Sequence, residues 1–363
     1  MPNKFTPIET LLKAAKKGEV FILVDDESRE NEGDLVFLGD KCSPKKINFM
    51  ATYGRGLVCL ALDKNQSSKL GLKLMPSSND SRFSTAFTVS IEARKGVTTG
   101  ISAYDRSKTI LTAIKKNASK NDIVTPGHIF PLVAKQGGVL IRAGHTEASV
   151  DIAKLTNSNA SAVICEIMND DGTMAKRDQL FKYAKKHNLK ISKIEDLIAY
   201  RFKKEKFIKL KTKSSKNFKN TKLQKLEYQN SIDKKKHFVI SKIENKENCK
   251  VRVLSLKDNF PKDVFKNIEV KRSLKYLMRS SNFALIIINS SMLNEDKNFI
   301  NFSSSKREFE ANLIRNYGVG AQIIKRLGLN DITLVTKSKK RIVGLDGFGI
   351  KIKKQEIFKW RNV

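Results

Sequence analysis

Hydrophobic and polar positions follow two different periods along this chain. Ile8, Leu11, Leu12, Ala14 and Ala15 recur at helical spacing before Gly18, which predicts a helix over residues 8–18. Further helical patterns cover residues 45–52, opened by Pro44, then 107–118, 146–154, 178–187 and 193–201. Short apolar runs at 20–24, 35–38, 57–62 and 161–168 predict buried strands, and Phe87 to Glu92 alternates as a half-buried one. Residues 76–86 are polar and turn-rich, and Pro126 and Pro131 fix a loop around His128. In the second half, strands are expected at 238–241, 249–254, 283–288 and 332–336, and helices at 272–279 and 308–327. The pattern predicts an α+β protein with mixed α/β layers. It divides into a domain over 1–203, a lysine-rich linker over 204–236 and a smaller α/β domain over 237–363.

Composition narrows the class. At 363 residues and 40% hydrophobic content the chain can build two cores. No apolar run approaches the ~20 residues of a membrane span, and residues 1–5 lack the features of a signal peptide. Cys42, Cys59, Cys165 and Cys249 form no C-x-x-C pair, so neither a disulfide framework nor a cysteine zinc site is indicated. A cytoplasmic protein is expected. The net charge of +33 is uneven: residues 1–202 hold 31 Lys+Arg against 22 Asp+Glu, leaving 39 against 15 for residues 203–363. Such a basic half can bind nucleic acid. The excess is nearly all lysine mixed with Asn, Ile and Ser, without an aromatic-interleaved basic motif, so coding bias is preferred and nucleic acid is not expected as a partner.

Against that background one stretch stands out. Asp25, Asp26, Glu27, Glu30, Glu32 and Asp34 place six carboxylates within ten positions, between two strand-like runs. A hard cation or a task in proton transfer would offset their mutual repulsion, whereas an arbitrary acidic turn in water needs neither. Gly96-Val97-Thr98-Thr99-Gly100 precedes a helix and offers the glycines and hydroxyls of an anion site. His128 is a candidate acid/base group. Arg142 and Thr146 supply a forked cation and a hydroxyl at a helix start, suited to phosphate, and His145 between them can ligate a metal together with carboxylates from elsewhere. Glu166 is one acid in an apolar strand, where burial would raise its pKa.

These pieces, in this order, resemble 3,4-dihydroxy-2-butanone 4-phosphate synthase of riboflavin biosynthesis. The matching motifs are residues 25–34, 96–100, Pro126-Gly127-His128-Ile129-Phe130-Pro131-Leu132, Gly137-Gly138-Val139-Leu140, Gly144-His145-Thr146-Glu147-Ala148 and 165–175, spread over about residues 5–202. The resemblance implies a synthase-type N-terminal domain that converts D-ribulose 5-phosphate to 3,4-dihydroxy-2-butanone 4-phosphate and formate. The steps are enediol formation, dehydration, skeletal rearrangement and loss of one carbon. It also implies Mg²⁺ (or Mn²⁺) and a homodimer with shared active sites. Carried over residue by residue, Glu30 and His145 are the metal ligands, and Glu30 also lies against the substrate. Arg29 and Asp34 contact the sugar. Arg142 and Thr146 hold the phosphate, helped by the region of Thr98 and Thr99. His128 and Glu166 match residues essential in the family, Glu166 also touching substrate. The groups available for proton transfer are Glu32, Asp34, His128 and Glu166; Cys59 reads as a small core residue.

The second half resembles GTP cyclohydrolase II at residues 316–328 and 343–349. Here the departures matter more. That family holds zinc with three cysteines in a short stretch, and this half has only Cys249. Its phosphate-binding Gly/Arg-rich loop is missing. Arg315 matches the family's arginine, Leu313 stands where it has a catalytic aspartate, and Thr336 matches a nucleotide contact. A zinc hydrolase without its ligands cannot activate water, so no zinc and no cyclohydrolase activity are expected. The alternatives are a bifunctional enzyme rescued by another metal arrangement, and a lysine-driven binder that retains an enzyme fold.

Overall fold

A computed structural model describes residues 4–25, 30–75, 85–256, 263–290, 318–337 and 349–358. The chain forms two compact units, Met1–Ile198 and Ala199–Val363.

The first unit runs α1 (Ile8–Lys17), β1 (Phe21–Val24), β2 (Gly33–Leu38), α2 (Pro44–Phe49), β3 (Cys59–Leu62), α3 (Lys64–Lys69), β4 (Ile91–Ala93), α4 (Ala103–Ala113), β5 (Ile123–Val133), α5 (His145–Leu155), β6 (Ser161–Glu166), α6 (Arg177–Lys186), β7 (Lys190–Lys193) and α7 (Ile194–Lys204), which continues into the second unit. Its seven-stranded sheet has the order β4-β5-β3-β6-β2-β1-β7. One face packs Ile22, Leu35, Phe37, Leu60 and Val163 against Ile47, Ile110 and Leu180 of α2, α4 and α6. On the other face Ala61 meets Val150 of α5. With both faces covered, β1, β2 and β3 are buried at every position, which explains their unbroken apolar runs. Each fully buried Phe, Leu or Ile contributes about 1.5–3 kcal/mol relative to exposure.

Several local features differ from the sequence expectation: α3 and β7 carried no expectation, and of the strand expected over 87–92 only Ile91 and Glu92 lie in β4. α4 starts at Ala103 rather than 107, because the Ser102 side chain caps it by accepting the Asp105 N–H. Residues 125–132, expected as a loop, lie inside β5. The register there jumps: Ile91 pairs with Ile129, but Glu92 pairs with Val124. Residues 125–128 therefore have no ladder partner on β4, and His128 sits on a bulge within the strand.

The second unit holds β8 (Ile208–Phe218), β9 (Thr221–Asn230), β10 (Lys236–Lys242), β11 (Cys249–Leu256), α8 (Ile268–Leu277), β12 (Phe283–Asn289), a helical stretch at 318–326, β13 (Asp331–Thr336) and β14 (Lys351–Ile357). Its sheet order is β14-β13-β11-β12-β10-β9-β8, parallel from β11 to β14 and antiparallel through β10, β9 and β8. The stretch read as a linker, 204–236, is instead mostly the β8–β9 hairpin. Phe218 pairs with Thr221 across Lys219 and Asn220, both at positive φ, which is the two-residue turn that suits twisted strands. β9 turns Leu223, Leu226 and Tyr228 inward, while β8 is exposed along nearly its whole length and its lysines discourage pairing with another edge. α8 starts at Ile268, ahead of the expected 272, because the Asn267 side chain accepts the N–H groups of Glu269 and Val270. Of the expected helix 308–327, residues 308–317 lie outside the described residues.

Candidate active site

The acidic stretch is the connection between β1 and β2. Val24 pairs with Gly33, and Asp25 closes the loop: its N–H donates to the Glu32 carbonyl (3.2 Å), and its Oδ1 accepts the Glu32 N–H (2.9 Å). This brings Asp25 and Glu30 to His145, the first residue of α5. One ligand atom from each of the three lies within 4.8 Å of the others. Asp25 and His145 are buried and Glu30 is half-buried. Two carboxylate oxygens and one imidazole nitrogen suit a hard divalent ion, and two negative charges at that spacing are balanced by one dication. Among the described residues this is the only such group. Asp34, at the start of β2 and 5% exposed, has its Oδ1 3.7 Å from His145 Nδ1, close enough for charge interaction but beyond hydrogen-bond distance. Arg29 lies outside the described residues, as do Asp26, Glu27 and Ser28.

Register places the other carboxylate beside this group. Asp34 pairs directly with Glu166, the last residue of β6. Burial pushes the Glu166 carboxyl up from its ordinary value, the Leu57 N–H on its Oε2 (2.8 Å) pulls it back, and the Glu32 charge pushes it up again; the net direction is upward. Gly56 makes that approach possible, since a Cβ there would lie 2.5 Å from Glu166 Oε2. Glu32 pairs with Lys176 (3.1 Å). Burial also raises the thiols of Cys59 and Cys165, so both are held as neutral core groups.

The anion-type segments are built rigidly. Arg142 donates to Glu147 (2.7 Å) and to Thr85 Oγ1 (3.3 Å); Glu147 is buried and also accepts the Lys135 N–H. Asp151 accepts the Val139 N–H (2.8 Å). These carboxylates fix the segment that delivers Arg142 and His145, and Thr146 stands buried in the first turn of α5. Residues 98–100 wrap the buried Asp105 of α4, which accepts the N–H groups of Thr98 and Gly100 and the Thr98 hydroxyl. These bonds hold the Asp105 carboxyl below its ordinary range, the Thr98 hydroxyl first among them. The Thr98 hydroxyl therefore points into the loop's own framework.

His128 has its partner elsewhere. Phe130 of β5 and Ile164 of β6 both pair with Cys59, so His128 and Glu166 lie just beyond the same end of β3, one on each side of it. The His128 ring bonds Glu92 of β4, Nδ1 to Oε2, at 2.7 Å.

Three of these groups, Asp25, Glu92 and Glu147, were given no role by sequence reasoning. Asp25 stands among the six clustered carboxylates and Glu147 within the motif 144–148, while Glu92 is one position of an expected strand. In the second unit Cys249 is buried on β11 with its thiol pushed up to about 12, and His237 is buried with its imidazole pushed down to about 4, both by burial. Thr336 ends β13; Leu313 and Arg315 lie outside the described residues.

Two α/β units, the first with carboxylates and imidazoles gathered at the ends of its interior strands beside a helix N-terminus, define a two-domain α/β protein with a candidate acid/base site. The family 3,4-dihydroxy-2-butanone 4-phosphate synthase matches residues 9–200, and GTP cyclohydrolase II matches residues 209–356. The 3,4-dihydroxy-2-butanone 4-phosphate synthase of Photobacterium phosphoreum is 42% identical, over 95% of this chain and 97% of that protein. Riboflavin biosynthesis protein RibBA of Bacillus subtilis is 41% identical, over 96% and 92%. The crystal structure of RibBX from A. baumannii, a two-domain 3,4-dihydroxy-2-butanone 4-phosphate synthase, matches with a TM-score of 0.80 at 35% identity, covering 97% of this chain and 99% of that one. A 3,4-dihydroxy-2-butanone 4-phosphate synthase in complex with two magnesium ions matches 55% of this chain and 98% of its own, with a TM-score of 0.54 at 36% identity. The chain belongs to the 3,4-dihydroxy-2-butanone 4-phosphate synthase family: it is a lyase of riboflavin biosynthesis, with a GTP cyclohydrolase II-like domain following the synthase domain in sequence.

Proposed function

We propose that the first unit converts D-ribulose 5-phosphate to 3,4-dihydroxy-2-butanone 4-phosphate and formate at the site around Asp25, Glu30 and His145. The observation that carries this reading is the convergence of those three side chains within 4.8 Å, beside Asp34 and Glu166. Mg²⁺ or Mn²⁺ held there supplies Lewis-acid polarisation of the substrate's oxygens. Arg142 and Thr146, at the positive end of α5, bind the phosphate. Arg29 and Asp34 bind the sugar. Glu166, whose burial keeps its proton to higher pH, exchanges protons with the substrate; Glu32 and His128 complete the proton-handling set.

The reading includes a homodimer with shared sites in the cytoplasm. Support for the dimer comes from exposed apolar side chains next to site residues in sequence: Leu57 beside the Glu166 contact, and Ile101 and Tyr104 beside the 98–100 loop. No helix among the described residues is long and apolar enough to cross a membrane. The second unit is read as non-catalytic, on the absence of a second cysteine from residues 203–363.

The reaction is tested by incubating the purified chain with ribulose 5-phosphate and Mg²⁺ and following products by NMR. A four-carbon phosphate and formate in equal amounts are expected; consumption without formate contradicts the reading. GTP with Zn²⁺ is expected to remain unchanged, and release of pyrophosphate or a formamidopyrimidine would show that the second unit is a working cyclohydrolase.

A further inference from the structure

We infer that Glu92 is a positioning residue for His128: it holds the ring in the Nδ1–H tautomer and so presents Nε2 as the atom that moves a proton. This rests on the synthase reading above. An ionised carboxylate only accepts, so at 2.7 Å the Glu92 oxygen requires a proton on His128 Nδ1. In the neutral ring the lone pair is then on Nε2.

Glu92 is itself held from several sides. Its Oε1 accepts the Thr109 hydroxyl at 2.5 Å, and Thr109 Oγ1 in turn accepts the Ala93 N–H at 3.0 Å. Its Oε2 also accepts the His128 backbone N–H at 3.2 Å. That last bond exists because the register jump removes His128 from the β4 ladder. Gly100, at φ +90°, closes over the pair: a Cβ there would lie 2.0 Å from Glu92 Oε2 and 2.6 Å from His128 Nδ1. The Glu92 side chain is 10% exposed, whereas that of His128 is 42% exposed. A buried, doubly anchored carboxylate with an outward-facing imidazole is an arrangement for orienting a base, since the carboxylate fixes the tautomer and its charge balances the ring when that ring is protonated. During turnover Nε2 accepts one proton from the substrate, giving the imidazolium, and returns one in a later step, so the ring ends each cycle neutral.

The tautomer can be read directly. The chain has four histidines, and ¹⁵N-histidine labelling of the full-length protein, with His128→Asn to assign its signals, gives the ring nitrogen shifts. The expected result is a neutral His128 with protonated Nδ1 and unprotonated Nε2; a dominant Nε2–H tautomer overturns the proposal, whatever the variants do. Glu92→Ala, which removes the acceptor, is expected to lower kcat about 10²-fold while KM for ribulose 5-phosphate stays within about twofold, with the Nδ1–H tautomer no longer dominant, whereas Glu92→Gln, whose amide oxygen can still accept from Nδ1–H, keeps that tautomer. Thr109→Val is expected to lower kcat about tenfold, and Thr109→Ser, which keeps the hydroxyl, to restore it. A folded Glu92→Ala enzyme with full kcat overturns the proposal. A wild-type chain that releases no formate overturns the synthase reading itself, and with it the role of His128.

Discussion

The described carboxylates of the acidic stretch take different positions once the chain folds. Asp25 turns inward to close the loop and meet His145, Glu32 pairs with Lys176, and Asp34 enters a buried strand opposite Glu166. Glu30→Gln and His145→Ala are each expected to lower formate production by at least about 10³-fold. Asp25→Asn is expected to weaken Mn²⁺ binding about 10–100-fold, read by electron paramagnetic resonance independently of activity; unchanged binding would remove Asp25 from the ligand set. Glu166 allows a test of opposite sign for stability and activity. Because its folded-state pKa is raised, the native protein binds its proton more tightly than the unfolded chain, so this group's contribution to stability falls as pH rises through its titration. Glu166→Gln should therefore abolish activity yet raise the metal-free melting temperature at neutral pH, and the gain should shrink as the pH is lowered. A gain that persists at low pH contradicts the assignment. His145, Arg142 and Thr146 were legible because their residue types cluster at a helix start. Asp25 was not, since nothing in a run of acids says which one turns inward, and Glu92 read as one position in a strand alternation.

Elements were legible where apolar periodicity is strong and both faces of a strand are covered, as in β1, β2, β3 and β6. They were hidden where packing or capping overrides the local pattern. The bulge that carries His128 depends on a register jump between β4 and β5, which no local pattern encodes. The β8–β9 hairpin was hidden by its lysines: a strand exposed along nearly its whole length shows no apolar face, and only Leu223, Leu226 and Tyr228 of β9 mark the buried side. The turn at Lys219 and Asn220 is its fixed point. Asn220→Val, which forces a β-branched side chain into the left-handed region, is expected to cost about 1–2 kcal/mol. It should speed amide hydrogen exchange across the hairpin, whereas Asn220→Gly should leave exchange close to wild type. Equal exchange in the two variants contradicts the turn.

Across the chain as a whole, the two units and their separate sheets differ in the groups they carry. The first gathers Asp25, Glu30, Asp34, His145 and Glu166 at the ends of interior strands; the second holds a single cysteine, Cys249. The two-domain arrangement was legible because both halves carry family motifs in order. The division at Ile198 and the extent of the second sheet were not, because the hairpin begins inside what reads as solvated lysine sequence. We propose that the Asp25–Glu30–His145 group makes the first unit a divalent-metal-dependent synthase. It is tested most directly by formate release from ribulose 5-phosphate, compared in wild type and His145→Ala, after chelation and after restoring Mg²⁺. Formate is expected from the wild type with Mg²⁺, none after chelation, full recovery on adding Mg²⁺ back, and none from His145→Ala under any condition. Undiminished formate from chelated wild type, or from His145→Ala, would contradict it.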